Sequence, residues 1–404
     1  MKDIRSAIPQ PLPEGLELSE LDPIYREQPH ARLDRLRCEA PRYQDPASET
    51  GRLFLTRHAD VRAALIDRSL TRDTKKTYSR GAEAVPDTLL DKDGEELALG
   101  RMLVARAFDT RGVESRRGLI TQIIDDALDG LGARFDAMRD FAAPIPIRVM
   151  TAIFGLPQDN LAQLRDWAED AAVLGMHPNR TTEQNIRLMT SAAGLRKLVF
   201  DTIAARRAEP RDDLLSTLVL AEANGRRLDD SEVAPLCIFG MIAGSLTTTD
   251  LIGNTIVLLL QNPDQRALLE GNPRLVACAV EESLRLEPPV SAVARHVVED
   301  GEVMGCPMRA GGTVKASLLA ANHDPDLCEE PHAFRIDRLV VPKHFAFGGG
   351  AHGCLGAGLA RLEAQLAVER LLARFPGLSL VPTDMPRKKT TYGFRGYARI
   401  PLSR

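Results

Sequence analysis

The chain has 404 residues, 44% of them apolar and 27% charged, a composition suited to a globular protein with a large core. Its formal net charge of −4 excludes the broad basic excess by which most nucleic-acid binders are recognised. Length alone permits two or three domains, but no repeat, low-complexity tract or Gly/Ser linker divides the sequence, so a single body over residues 1–404 is expected.

The opening segment, MKDIRSAIPQPLPEG, carries Pro9, Pro11 and Pro13 and no apolar run of signal-peptide type. An extended surface segment is expected there, and secretion is not. Six cysteines (Cys38, Cys237, Cys278, Cys306, Cys328, Cys354) are scattered without CxxC pairing, which fits reduced thiols in a cytoplasmic protein. Residues 52–55 read as a short strand. Helical periodicity then dominates from His58 to Gln261, most clearly in segments 58–66, 119–131, 145–153 and 161–174. Residues 71–92 interrupt it with a polar stretch containing Arg72, Lys75, Lys76 and Arg80, for which a solvated loop is expected. Arg101 follows, in Gly100-Arg101-Met102-Leu103-Val104.

The clearest helix starts at Asp229-Asp230-Ser231, which offers N-cap side chains, and stops at Asn262-Pro263. About thirty residues at a rise of about 1.5 Å span roughly 45 Å, so this helix is expected to cross the core. Its weakly charged part, residues 233–249, contains Ser245, Thr247, Thr248 and Thr249 and leads into Asp250. Such a segment is poorly suited to lipid, and no membrane contact is expected. A second helix, over about residues 273–286, carries Glu282 and Arg285 on one face and is ended by Pro288-Pro289. Further strands are predicted at 313–318 and 397–402, giving a mainly α fold with a smaller β portion.

The most informative stretch runs from Phe345 to Gly356, a glycine-rich loop leading to a single cysteine with a helical pattern after it. Glycines let the backbone fold closely around sulfur and present N–H donors to it. The positive end of a following helix dipole lowers a thiol pKa. A buried structural cysteine beside a simple or phosphate-binding turn is the plain alternative. A zinc or thiol-enzyme site at His352 and Cys354 is another, though two residues two apart give poor zinc geometry.

Taken together, Phe347-Gly348-x-Gly350-x-His352-x-Cys354-x-Gly356-x-x-Leu359-Ala360-Arg361 resembles the haem-binding signature of the cytochrome P-450 family. Two other motifs carry the same resemblance. Glu282-Ser283-Leu284-Arg285 is similar to the family's ExxR helix, with Arg338 in Phe334-Arg335-Ile336-Asp337-Arg338 fitting the third member of its structural network. Ala243-Gly244-Ser245-Leu246-Thr247-Thr248 is similar to the oxygen-activating A-G-x-(D/E)-T motif. The resemblance implies the P-450 fold, a haem b cofactor with Cys354 as iron ligand, and a long helix over the haem. It also implies Phe347 packed beside the thiolate, Gly348 and Gly356 allowing close backbone approach, and propionate contacts from Arg295, His352, Arg101 and His344. Ala243 and Gly244 would lie where the helix opens to accommodate dioxygen, and Thr247 would help deliver protons to it. By the same analogy Met241, Leu246, Val290, Ala292, Val293 and Phe394 are pocket candidates, mostly apolar, so a hydrophobic small-molecule substrate is expected.

Two positions depart from the pattern. Leu97 stands where the family commonly has a propionate-binding histidine, and Leu246 stands where it has the acid of the acid–alcohol pair. The second departure leaves two enzymatic readings open: ordinary monooxygenation with altered proton supply, or a peroxygenase or oxidative-coupling reaction. A non-catalytic haem carrier or sensor is a third reading, from a different class. No flavin or iron–sulfur segment is recognised within the 404 residues, so electrons are expected from a separate ferredoxin or flavodoxin and its NAD(P)H reductase. Arg106, Arg111, Arg116, Arg117 and Arg361 are candidates for a basic docking patch.

Overall fold

The computed structural model describes residues 12–16, 18, 22, 25, 27–73, 88–177, 179–223 and 226–404. Pro9 and Pro11, and Lys75, Lys76 and Arg80, lie outside the described residues. Two compact units are present. The first comprises Met1–Leu97, Leu284–Phe334 and Arg338–Cys354, and the second comprises Ala98–Ser283, Arg335–Asp337 and Leu355–Arg404.

The first unit is built on a five-stranded sheet, in the order Arg42–Gln44, Arg52–Leu55, Thr313–Ser317, Ala292–Val297, Leu70–Thr71. Only the pairing of Thr313–Ser317 with Arg52–Leu55 is parallel. Leu53, Leu55, Val314 and Ala316 form one core with Val61, Ala64 and Leu65 of the helix His58–Ile66. A second core joins Leu33 and Leu36 of the helix His30–Glu39 to Phe54, Leu319 and Ala320. Arg37 ties that helix down by donating to the Ala320 carbonyl at 3.0 Å while pairing with Asp34 at 2.5 Å.

The second unit is helical, organised around the helix Asp230–Gln261. Its start is a reciprocal capping box. Asp229 accepts from the backbone N–H of Ser231 and Glu232 at 2.8 and 3.1 Å, and Glu232 accepts from Asp229 N at 2.9 Å. The helix packs against Pro144–Phe154, Leu161–Met176, Thr182–Ala208 and Ala357–Arg374. Gly240 and Gly244, one turn apart, form a notch in it. A Cβ at Gly240 would come within 2.5 Å of the Phe154 ring, and one at Gly244 within 2.8 Å of Met150 Sδ. Among the described residues this is the one helix long and apolar enough to cross a membrane, and most of its apolar stretch is buried inside the protein.

Several predicted bounds shift. Segment 273–286 divides into a 3-10 turn, Pro273–Leu275, and the helix Val276–Leu286. Segment 397–402 divides into Tyr397–Arg399 and Pro401–Ser403, because Pro401 has no N–H for a continuous ladder. Between them, Ile400 N donates to Asp136 Oδ1 at 3.0 Å and its carbonyl accepts from Ala137 N at 2.8 Å. The 27-residue helix Thr182–Ala208 was not separable in the sequence, since its apolar residues are not confined to one face.

Asp250, one turn beyond Leu246 on the long helix, is fully buried. Lys389 Nζ lies 2.7 Å from its Oδ1, and Gly396 presses so close that a Cβ there would collide with the carboxylate. Asn254, a turn further on, donates to the Arg395 carbonyl at 3.2 Å. The turn between the paired strands Arg387–Lys388 and Tyr397–Arg399 is therefore moored to the helix by an ion pair and a hydrogen bond. Burial pushes the Asp250 carboxyl up to about 6, with Lys389 opposing the shift.

A proton is thus held more tightly by Asp250 in the folded than in the unfolded chain. This contribution to stability is complete below the ordinary carboxylate pKa and is lost as pH rises through about 6. In denaturant titrations, the stability difference between the parent and Asp250→Asn is expected to move against the parent from about pH 4.5 to about pH 7. Lys389→Met, which strands a buried carboxylate, is expected to cost roughly 3–5 kcal/mol at neutral pH, and Asp250→Asn/Lys389→Met to recover most of it.

Candidate active site

In the first unit a relay of hydrogen bonds leads from a buried cation to the cysteine loop. Arg285, at 0% exposure, donates to the carbonyls of Asn322, Pro331 and Ala333 at 3.1, 2.5 and 3.1 Å. Asn322 Oδ1 then accepts from Phe345 N at 2.7 Å, where the loop begins. The loop closes on itself through Gly348 N to Phe345 O at 2.7 Å and Cys354 N to Phe347 O at 2.9 Å. Gly348 and Gly350 both have φ of 66°, the left-handed region that glycine adopts without strain. At Gly350 the loop also meets the Leu65 backbone so closely that a Cβ would clash with its carbonyl. The Phe345 ring stacks on His58 at 4.4 Å.

This scaffold leaves Cys354 exposed, whereas Cys237 and Cys306 are buried and burial pushes their thiols up. Cys38 is exposed as well, so it is the glycine-closed loop, not exposure, that sets Cys354 apart. Gly356 has no protein atom within 4 Å of where its Cβ would be, so packing within the protein does not require a glycine there. That agrees with room left for a flat group.

A cationic cluster belongs to the same unit. Arg295, on the strand Ala292–Val297, is 4% exposed, and burial followed by repulsion from Arg72 lowers its guanidinium to about 10. Burial likewise lowers Arg72, with Asp91 and Asp93 opposing. His352 Nε2 lies 2.8 Å from Asp93 Oδ1. Asp93 also accepts from the Thr71 hydroxyl and from Arg72 N. Burial alone would raise the Asp93 carboxyl, but these hydrogen bonds outweigh it and hold it at about 2. Burial also lowers His352 and His296, and repulsion from Arg295 and Arg72 adds to it in both. Among the described residues, Asp93 acts on both desolvated guanidiniums and Asp91 on Arg72 as well, and Asp93 is already engaged by Thr71, Arg72 N and His352, so anionic groups such as haem propionates would find charge partners here. The residues present fit a haem.

Arg72, Asp93 and His296 were missed as members of this cluster. Arg72 had been expected in a solvated loop; it is half-buried, because the short strand Leu70–Thr71 joins the sheet edge beside Arg295's own strand. Leu97 is a core residue at 3% exposure, so no contact is made from that position. His344 accepts from Ala346 N at Nδ1 (3.2 Å) with its ring 6.2 Å from that of Phe347, a geometry that braces the loop. Arg338 donates to Glu329, Glu330 and Ala333 carbonyls, sharing the last with Arg285. Val290 and Val293 pack half-buried against the first core, and Ala292 is half-buried beside them.

In the second unit, Glu282 is 2% exposed and accepts from Arg335 N at 3.2 Å. Arg101 is half-buried on the helix Gly94–Phe108. On the long helix, Ala243, Gly244 and Thr247 keep some exposure while Leu246 is nearly enclosed. Met241, proposed from sequence as a pocket residue, is at 0% exposure and is corrected to a core position. The helix runs through Gly244 without a break, and a Cβ at that glycine would collide with Met150. The Thr247 hydroxyl donates to Ala243 O at 2.7 Å, which leaves its oxygen lone pairs as acceptors. Phe394 is half-buried in the moored turn, beside Gly393 with φ of 77°.

A family model described as Cytochrome P450 matches residues 273–396, the segment holding Glu282, Arg285, Arg295 and Cys354. Cytochrome P450 107B1 of Saccharopolyspora erythraea is 35% identical over 404 residues, which cover 96% of this chain and 97% of that relative. The cytochrome P450 monooxygenase PikC of Streptomyces venezuelae is 35% identical over 91% of this chain and 89% of its own. Among solved structures, the bacillaene polyketide synthase cytochrome P450 PksS of Bacillus subtilis aligns with a TM-score of 0.87 at 32% identity, covering 96% of this chain and 99% of that one. With likeness of that extent, and with the cysteine loop and cationic cluster built as described, the chain belongs to the cytochrome P450 family.

Proposed function

We propose that this P450 monooxygenase binds haem b through Cys354 and inserts an oxygen atom from dioxygen into a hydrophobic small molecule in the cytoplasm, all 404 residues serving one haem module. The observation that carries the reading is the pairing, within one unit, of an exposed cysteine on a glycine-rigidified loop with the buried Arg295–Arg72–His352 cluster. When bound, the haem iron supplies dioxygen binding and O–O cleavage, which a thiolate ligand favours by donating electron density.

The chain's own residues divide the remaining work. Cys354 provides the thiolate, Phe347 and Gly348 shape the loop around it, and Gly356 leaves space for the ring. Arg295, His352 and Arg72 hold the propionates, with Arg101 a further contact and His344 a brace of the loop. Thr247 Oγ1 accepts a proton from water and passes its own on, a rotation away from the Ala243 carbonyl that it bonds at rest. Leu246 can carry no proton, so water takes the place of the usual acid. Asp250 does not, because it is enclosed with Lys389. Val290, Ala292, Val293 and Phe394 give the substrate apolar surface.

Electrons come from a separate ferredoxin or flavodoxin with an NAD(P)H reductase. The basic patch offered to that partner is smaller than the sequence suggested. Arg117, though exposed, pairs with Glu114, Arg361 pairs with Glu281, and Arg116 is turned onto the Ala107 and Gly112 carbonyls, so Arg106 and Arg111, both exposed, are the members best placed to meet a partner. A peroxide-driven reaction is the second reading, and Leu246 is the observation in its favour.

Ferrous protein treated with carbon monoxide is expected to show the red-shifted Soret band of thiolate ligation, and Cys354→Ala to lose both that band and turnover. An unshifted parent spectrum sinks the proposal. Arg295→Leu, which removes a charge-assisted contact, is expected to speed haem transfer to an apo-globin acceptor by roughly 10–100-fold. Thr247→Ala is expected to lower product formed per NAD(P)H by roughly tenfold or more under ferredoxin and reductase. Parent turnover sustained by hydrogen peroxide and absent with redox partners would establish the peroxygenase reading instead.

A further inference from the structure

Outside the active site, the first unit contains a cluster of three histidines. His30 opens the helix His30–Glu39, His323 follows the short helix Leu318–Asn322, and His332 lies in the segment after it. Their ring centroids are 4.5 Å (His30–His323), 5.0 Å (His323–His332) and 5.9 Å (His30–His332) apart. One nitrogen from each ring lies within 4.8 Å of the others. We propose that His30, His323 and His332 form a metal site separate from the haem centre, a three-imidazole clamp for a divalent transition metal of the zinc class.

The surroundings are those of metal-binding imidazoles. His323 Nδ1 lies 2.9 Å from the Leu319 carbonyl, which can only accept, so the ring's proton sits on Nδ1 and Nε2 carries the lone pair. His332 Nε2 is 2.8 Å from Asp34 Oδ2, and His30 Nε2 is 3.7 Å from Glu287 Oε1. Carboxylate and carbonyl partners of this kind orient ligating rings and raise their basicity. Two carboxylates also offset the nearby cations Arg37 and Arg285, which are themselves committed to Asp34 and to backbone carbonyls.

Two ligands are held in advance. Arg285 bonds the carbonyls of Asn322 and Pro331, the residues immediately before His323 and His332. His323 is 2% exposed, while the His30 and His332 side chains are 32% and 46% exposed, so the cluster has a rigid floor and an open side for metal entry. Tetrahedral nitrogen ligands at zinc stand about 3.3 Å apart, and rotation of the two exposed rings supplies the contraction needed. Donor type selects the metal: three imidazoles suit Zn²⁺, Co²⁺, Ni²⁺ or Cu²⁺ rather than Ca²⁺ or Mg²⁺. A bound ion would clip the helix His30–Glu39 to segment 318–332.

The test uses tag-free, chelator-stripped holoprotein titrated with zinc chloride by calorimetry, with zinc K-edge absorption of the loaded sample, where haem iron does not interfere. One zinc per chain is expected, with imidazole scattering from three rings and a zinc-dependent rise in thermal midpoint. His30→Ala and His332→Ala, both at partly exposed rings, are each expected to weaken binding roughly 100-fold while the haem spectrum is kept, and His177→Ala to bind as the parent does. Uptake unchanged in either of the first two variants, a zinc shell lacking imidazoles, or no uptake at millimolar zinc overturns the proposal.

Discussion

A guanidinium with no exposure to water is the constraint around which the first unit is arranged. Arg285 is among the largest fully buried side chains, and its N–H groups must all find acceptors, because a stranded buried charge costs several kcal/mol. It takes carbonyls from Asn322, Pro331 and Ala333, three points on a segment with little regular structure. What would otherwise be a loose meander is thereby given one conformation. Asn322, so fixed, receives Phe345 N, and the loop that presents Cys354 starts from that point. The same guanidinium sets the backbone of His323 and His332, so one buried charge positions both the thiol loop and the histidine cluster.

Electrostatics in this unit run opposite to ordinary practice at a protein surface. Arg295 and Arg72 are desolvated beside one another, with Asp93 held as an anion between Thr71, Arg72 N and His352. On the proposed function, propionates bound at these cations would link cofactor binding to folding stability.

The legible parts of the sequence were those where local chemistry leaves few choices. The string from Phe347 to Arg361 needs glycine at φ 66° twice and a cysteine at one fixed offset, and no other pattern in the chain competes with it. Asp229-Asp230-Ser231 announced the start of the long helix by offering N-cap side chains, and Asp229 fills that role. Arg295 was named through the family resemblance. Its partners Arg72 and Asp93 were not, because they arrive from the far side of the 71–92 stretch by strand pairing, and no spacing records a pairing between distant segments. Met241 was misread as a pocket residue for a related reason. Helical periodicity gives the faces of Asp230–Gln261 but not the identity of what packs on each, and Met150 and its neighbours decided it.

The mooring of the 389–396 turn to Asp250 has a consequence for how such an enzyme changes its diet. The turn that carries Phe394, proposed above to face the substrate, and the helix that carries Thr247, proposed to handle protons, are held together through Lys389, Gly396 and Asn254. On that proposal, side chains at 391–394 could be exchanged to suit a differently shaped guest while the helix keeps its anchor. Novelty in recognition is insulated from upkeep of the reaction, and the insulation consists of a lysine and an aspartate hidden from water.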